Sequence, residues 1–342
     1  MKVESFTKCL RAIALGSVLG LCSAASQAMP NYSDVFIFGD SLSDTGNVRD
    51  SLGILGGVVS VAAGYGGNGR FSNGPVWHEY LTPLLGLPAA SNSLGGGNNY
   101  AYGGAIVDSA GAPSAGILTQ SNDYLADVGG VSDPGALYIA WIGGNDVRGV
   151  VGDPVANQLA DINDSIADLQ GMLGDLISSG ANTVLVPNLP DLGQIPEFAG
   201  GANSASASAA TLAWNMALED MLTLVAQQTM AEILYFDVYS TFNELLGDPA
   251  AFGFTNTTGQ CRSVTTLLGI PIAENECANS SEFLFWDEIH PTTAAHAQLG
   301  QRAFDLLNGT STPMPLPLTV WLFTLGLVIM RVTRATGLRR CR

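Results

Sequence analysis

Four short stretches of the chain are apolar almost throughout and then stop at a polar cluster. Val35-Phe36-Ile37-Phe38 runs into Gly39-Asp40-Ser41, and Leu137-Tyr138-Ile139-Ala140-Trp141-Ile142 into Gly143-Gly144-Asn145-Asp146. Thr183-Val184-Leu185-Val186 runs into Pro187-Asn188, and Ile233-Leu234-Tyr235-Phe236 into Asp237. Runs of this length without alternation leave no face for solvent, which suits strands covered on both sides in a parallel sheet. Between the second and third, Val155, Leu159, Ile162, Ile166, Leu169, Leu173 and Leu176 recur at spacings of four and three. That is one face of a helix of about six turns, with Gly180 placed to stop it. Leu212, Met216, Leu222 and Val225 predict another helix over 209–230, and Pro291 opens a third through Thr292–Leu307. Strands and helices in alternation predict an α/β protein, a doubly wound three-layer α/β/α fold with a parallel sheet of about five strands.

Three stretches break the pattern. Residues 53–73 are rich in Gly and small side chains and read as a loop. Residues 252–282 lack any periodicity and read as an irregular insertion. Residues 200–210 are a run of Ala, Ser and Gly, either a loop or the start of the helix that follows. No repeat with a period of 20–50 residues is present.

The two ends differ from the body. Residues 1–28 carry Lys2, Lys8 and Arg11, then an apolar stretch from Ala12 to Leu21, then Ser26-Gln27-Ala28. A positive start, a short apolar middle and small residues at the cut predict a signal peptide for export. Residues 313–342 begin Pro313-Met314-Pro315-Leu316-Pro317-Leu318, continue uncharged to Met330 and close with Arg331, Arg334, Arg339, Arg340 and Arg342. An apolar run of about 17 residues closed by arginine is a marginal membrane span with a positive-inside stop. The Pro-Leu-Pro element resembles the bacterial PEP-CTERM type of sorting signal, which implies a membrane-held precursor and a sorting protease. A plain tail anchor is the other reading. The expected catalytic domain is 29–312, exported to the cell envelope, the cell surface or the medium.

Charge sharpens this division. The 342 residues contain 30 Asp+Glu and 13 Lys+Arg, a formal net charge of −17. Residues 1–28 hold three of the bases and one acid, and residues 313–342 hold five bases and no acid. The body is left with 29 acidic against 5 basic residues, a net −24. Such a surface excludes nucleic acid as a partner, because phosphate binding needs a basic stripe, and it favours neutral over anionic substrates. Of five cysteines only Cys261 and Cys277 belong to the body, an even pair in an exported chain, and a disulfide between them is expected.

The polar clusters at the strand ends carry the candidate chemistry, since open parallel sheets bind ligands there. Ser41 follows a strand directly, so its hydroxyl can project above the sheet, but a serine is a poor nucleophile unless a base takes its proton. Of three histidines, His290 stands three residues after Asp287 and two after Glu288, and either carboxylate could orient the imidazole. His78 and His296 lie in helical contexts and read as core or surface residues. There is no Gly-x-Ser-x-Gly elbow, no His-Glu-x-x-His, no Cys/His cluster and no Gly-x-x-x-x-Gly-Lys loop. No metal and no cofactor are expected.

Four blocks in order, Gly39-Asp40-Ser41-Leu42-Ser43, Asn98-Asn99-Tyr100-Ala101-Tyr102-Gly103-Gly104-Ala105, Gly143-Gly144-Asn145-Asp146 and Asp287-Glu288-Ile289-His290-Pro291, resemble the GDSL, or SGNH, hydrolase family. Arg70–Trp77 and Asn188–Gly193 match it as well, so the resemblance covers residues 35 to about 300. It implies a flavodoxin-like three-layer fold and a serine esterase or lipase acting on acyl esters. It makes Ser41 the nucleophile, His290 the base and Asp287, by the Asp-x-x-His pattern, its partner. It implies an oxyanion hole from the N–H groups of Ser41 and Gly104 and the side chain of Asn145, with Gly103 the near neighbour of Gly104. An O-deacetylase of polysaccharide, an acyltransferase and a surface-binding module without activity are the alternatives. The walls of the substrate pocket are expected from the loops at 48–73 and 252–282.

Overall fold

The four apolar runs need cover on both faces, and the computed structural model gives it to all of them in one sheet. The structure describes residues 31–57, 65, 69–109, 114–267 and 270–309. Strands β1 (Val35–Gly39), β2 (Leu137–Trp141), β3 (Thr183–Pro187) and β4 (Glu232–Phe236) lie side by side in that order, all parallel. Gly39 is level with Trp141, and Pro187 with Phe236. The polar clusters that follow the strands therefore leave the sheet along one edge.

The helices, in chain order, are α1 (Asn47–Ser51), α2 (Trp77–Leu84), α3 (Ile117–Asp127), α4 (Gly144–Val150), α5 (Val155–Ser179), α6 (Ser204–Gln228), α7 (Val238–Gly247) and α8 (Thr293–Leu307). In one group α5 packs against α3 and α6; in the other α8 packs against α2 and α7. With the sheet these make the three layers. α5 buries Ile162, Ile166, Leu169, Leu173 and Leu176, the stripe its spacing predicts, and leaves Val155 and Leu159 exposed at its start. It ends at Gly180, whose φ of 124° suits no other residue and where a Cβ would stand 2.9 Å from the Ser132 carbonyl oxygen. The Ala/Ser run opens α6 at Ser204. Alanine favours helix, and the small serines let it lie against the preceding turn, Ser204 bonding the Gly193 carbonyl (2.9 Å) and Ser208 the Asp191 carboxylate (2.7 Å).

Among the described residues the sheet has four strands, where about five are expected. The fifth place, on the open edge of β1, is taken by residues 98–102, which bond to it without forming a regular strand. Ile37 N–H donates to the Asn98 carbonyl (3.1 Å), and the N–H groups of Tyr100 and Tyr102 donate to Ile37 (2.7 Å) and Gly39 (3.1 Å). Asn47, fully buried, holds this segment from outside by donating its amide to the carbonyls of Asn99 (2.8 Å) and Ala101 (3.0 Å). The rung that would complete the ladder, from the Gly39 N–H to the Tyr100 carbonyl, is missing because that N–H donates to the Gln120 side chain instead (2.8 Å).

Residues 252–282 are more ordered than their composition suggests. Within them β5 (Asn256–Gln260) pairs in parallel with β8 (Phe283–Phe285), and β6 (Arg262–Leu267) forms an antiparallel hairpin with β7 (Ile270–Glu276). β5 is polar throughout, and the apolar residues of the hairpin gather toward its tip instead of alternating along both arms, so no period marks these strands. The Cys261–Cys277 disulfide, Cα to Cα 4.8 Å, closes the base of the hairpin. The hairpin is rooted on the main chain after β8, where Cys261 and Arg262 N–H donate to the carbonyls of Phe285 (3.0 Å) and Trp286 (2.7 Å). The leader at 1–28 and the tail at 313–342 lie outside the described residues, among which no helix is long and apolar enough to cross a membrane.

Two stability predictions arise. Asn47→Ala leaves the Ala101 carbonyl without its donor and the Leu94 N–H without its acceptor, while the Asn99 carbonyl keeps the Ser93 N–H; it is expected to cost about 2–4 kcal/mol in urea unfolding. Replacing Cys261 and Cys277 together by serine opens a loop spanning 16 positions and is expected to cost about 3 kcal/mol in the same measurement.

Candidate active site

The turn after β1 is built by one aspartate. The Asp40 carbonyl accepts the N–H groups of Ser43 and Asp44, both at 3.0 Å, and its Oδ1 accepts that of Leu42 at 2.9 Å. Ser41 is thereby held above the strand end. Gly39 is required just before it, because a Cβ there would fall 2.3 Å from the Trp141 carbonyl oxygen. The buried Gln120 brackets Gly39, accepting its N–H and donating to its carbonyl, each at 2.8 Å.

The second half of the site comes from the far end of the chain. Asp287 Oδ1 accepts the N–H groups of Ile289 (2.8 Å) and His290 (2.7 Å), which folds Asp287–His290 into a tight turn. The same carboxylate stands 3.0 Å and 2.9 Å, through Oδ1 and Oδ2, from His290 Nδ1. His290 Nε2 lies 2.8 Å from Ser41 Oγ. With Nδ1–H directed at the carboxylate, Nε2 is left to accept the serine hydroxyl. Burial alone would raise the Asp287 carboxyl, but the neighbouring His290 and the hydrogen bonds from its ring, its N–H and that of Ile289 hold it well below the usual carboxylate range. Glu288 is exposed and makes no bond to the ring among the described residues. Ser72 and Asn73 pin the exit of the turn: the Ser72 hydroxyl donates to the Pro291 carbonyl (2.9 Å), and Asn73 Oδ1 accepts the Thr293 N–H (2.8 Å). That gives the Arg70–Trp77 block a structural task.

Candidate oxyanion donors converge from two other segments. Gly103 N–H is engaged at 2.9 Å by Asp44 Oδ2, whereas no described residue accepts the N–H of Gly104 or of Ser41. Asn145, at the start of α4, donates one amide hydrogen to the Ala105 carbonyl (2.9 Å) and keeps the other. Gly143 before it has φ 113°, and a Cβ would strike the Trp214 ring at 2.1 Å. The glycine thus fixes where Asn145 stands. The other two histidines are core residues. His78 Nε2 lies 2.9 Å from the Ser43 carbonyl oxygen, and burial pushes its pKa down to about 4 and that of His296 to about 3.

A cleft of about 600 Å³, open to solvent, reaches Ser41 and Asn145. Its apolar walls include Leu189, Leu192 and Ile195 after β3, Phe242 of α7, and Phe285 and Ile289 beside His290. The expectation that residues 48–73 and 252–282 form the walls is therefore not met among the described residues. The Asn188–Gly193 block supplies the wall instead, a role its polar and Pro/Gly composition hides. Tyr65 was also not singled out from the sequence, yet its hydroxyl reaches Asp287 Oδ2 at 2.9 Å. Among the described residues no group of His, Cys, Asp or Glu is arranged to hold a metal ion.

A parallel α/β/α sandwich with a serine, a histidine and a carboxylate in line at its strand ends has the form of a hydrolase. The chain belongs to the GDSL-like lipase/acylhydrolase family, whose model matches residues 35–303, and it is an ester hydrolase of that family. It is 30% identical over 332 residues to a phosphatidylcholine-sterol acyltransferase of Aeromonas hydrophila, covering 85% of this chain and 95% of that one. It is 27% identical over 357 residues to Lipase 1 of Photorhabdus luminescens, covering 84% of this chain but spanning only 53% of that relative. Among solved structures it is similar to Est24, a carbohydrate acetylesterase of Sinorhizobium meliloti, at 13% identity and a TM-score of 0.44, covering 81% of this chain and 99% of that one.

Asp40 generates a prediction about pH. Burial, only partly opposed by the Leu42 N–H and by His290, pushes its carboxyl up to about 7 from an ordinary 3.8. Below 3.8 the acid is neutral whether folded or unfolded; above it, the unfolded state ionises first and the folded state resists. Its contribution to stability is thus full at low pH and lost as pH rises through 7. Asp40→Asn keeps an acceptor for Leu42 and is expected to gain stability relative to the parent by a few kcal/mol between pH 4 and 8, read from urea unfolding at each pH.

Proposed function

We propose that this protein is an exported serine esterase that cleaves neutral carboxylic esters through an acyl-enzyme on Ser41. The observation that carries the reading is the single line from Asp287 through His290 to Ser41, closed at 2.8 Å between Nε2 and Oγ. As Oγ attacks the ester carbonyl, His290 takes its proton at Nε2, and the imidazolium so formed is held by Asp287. The carbonyl oxygen, now an anion, accepts the N–H groups of Ser41 and Gly104 and the free amide hydrogen of Asn145. His290 returns the proton to the departing alcohol oxygen, and a water, deprotonated by the same nitrogen, then releases the acid and restores Ser41.

The apolar walls of the cleft and the net −24 of the body both favour an uncharged ester. Export through the leader at 1–28 and retention by the PEP-CTERM-like tail at 313–342 belong to the same reading, with a sorting protease as the tail's partner. The acyltransferase named among the relatives supports a second outcome for the same acyl-enzyme, in which an alcohol takes the place of water.

A fluorophosphonate probe is expected to label the protein, and Ser41→Ala to abolish labelling and to lower kcat on p-nitrophenyl esters by roughly 10⁴-fold or more. Unchanged labelling in that variant would remove Ser41 from its role. Added glycerol or sterol returning as an ester product would move the assignment from hydrolysis to transfer.

A further inference from the structure

Asp287 accepts four donors, and one of them is a side chain with no part in the mechanism above. The N–H groups of Ile289 and His290 both fall on Oδ1 (2.8 and 2.7 Å). Oδ2 lies 2.9 Å from His290 Nδ1 and 2.9 Å from the hydroxyl of Tyr65. The first three donors are part of the same four-residue turn as the carboxylate and move with it. Tyr65, 222 positions away, is the one donor among the described residues that reaches Asp287 from outside the turn. A carboxylate anchored by the backbone through one oxygen can pivot about that oxygen, and the pivot carries Oδ2 off the imidazole, leaving Nδ1 only the Oδ1 contact at 3.0 Å. A donor on Oδ2 opposes that pivot.

Tyr65 is itself held in place. Its ring packs on Phe71 at 4.8 Å between centroids and stands edge-on to the His290 ring at 5.7 Å and 86°. The Arg262 guanidinium lies over the same ring, 5.9 Å from its centroid. Arg262 is 3% exposed and donates through Nε to Glu274, while its Nη2 finds no acceptor among the described residues. The cation is fixed because its residue sits beside Cys261 at the root of the disulfide-closed hairpin. Burial, and then the charge of Asp287, push the Tyr65 hydroxyl well above its ordinary pKa, so it stays a donor.

We propose that Tyr65 is a positioning residue of the catalytic line, orienting Asp287 through Oδ2, and that Arg262 locks Tyr65 in that pose. This rests on the assignment of Ser41, His290 and Asp287 made above. The test is Tyr65→Phe in the full chain, which keeps the ring and removes only the hydroxyl. The kcat on a p-nitrophenyl ester is expected to fall about tenfold with KM within about twofold of the parent. Fluorophosphonate labelling of Ser41 should slow by the same factor, and the downfield proton resonance of His290 Nδ1–H should move. Arg262→Met, which leaves the hydroxyl and removes the cation, should lower kcat in the same direction by about threefold; it carries the test if Tyr65→Phe does not fold. Parent-like kcat and an unmoved resonance in a folded Tyr65→Phe variant would overturn the proposal while leaving the Ser41 assignment intact. A parent protein that the probe does not label would instead overturn the assignment beneath it.

Discussion

The site depends on one buried carboxylate that does no chemistry. Asp44 is fully buried and accepts the N–H groups of Gly46 and Asn47 through Oδ1, both at 2.7 Å, and that of Gly103 through Oδ2 at 2.9 Å. The first two bonds shape the entry to α1, which follows directly on the turn that carries Ser41. The third joins that turn to the segment carrying Gly104, which follows the open edge of β1. Nucleophile and candidate oxyanion donor are thus set against each other by a shared acceptor rather than by the sheet alone. Burial pushes the Asp44 carboxyl up to about 6, opposed by these same N–H groups, so the carboxylate and the loop geometry hold each other in place. Because Gly103 is committed to Asp44, the free N–H belongs to Gly104.

The constraint extends to the layers beyond. Ser43, in the same turn, accepts the indole N–H of the buried Trp77 at 3.1 Å, and its carbonyl meets both His78 (2.9 Å) and the Asn99 side chain (2.7 Å). Trp77 in turn packs edge-on to Trp141 at the end of β2, 5.4 Å between centroids. Two tryptophans of the core therefore bear directly on the loop that places the nucleophile. The bond from the His78 ring to the Ser43 carbonyl would by itself favour the charged imidazole, but burial outweighs it and keeps the ring neutral.

Much of this architecture was legible in the sequence wherever burial on both faces left an unbroken apolar run. All four strands and the long α5 stripe fall where the hydrophobic pattern puts them, and the polar residues at the strand ends converge as the parallel topology requires. Ser41, Asp287 and His290 were legible because their order and spacing form motifs. What stayed hidden lacks a one-dimensional signal. The edge segment at 98–102 bonds to β1 through backbone alone, with asparagines that look like turn residues. The hairpin at 262–276 is fixed at its base by a disulfide and by two backbone bonds to Phe285 and Trp286, neither of which shows as a hydrophobic period. The cleft walls after β3 are set by where a loop of Leu, Pro and Gly comes to rest, which no periodicity reports.

That hairpin matters to the chemistry because of where it is rooted. Its base bonds to the main chain at Phe285 and Trp286, and Asp287 is the next residue. The Trp286 N–H also donates to the His290 carbonyl at 2.7 Å, so one residue joins the ribbon on one side to the acid–base turn on the other. The Cys261–Cys277 bond closes the base of that ribbon and limits the conformations open to it. The order supplied by the disulfide reaches, through Arg262 and Trp286, the Asp287–His290 pair, whose Nε2 must keep a hydrogen-bonding distance from a serine 249 positions away. A chain with few bases to pair its acids thus braces its acid–base turn with a covalent link as well as with the Arg262–Glu274 ion pair.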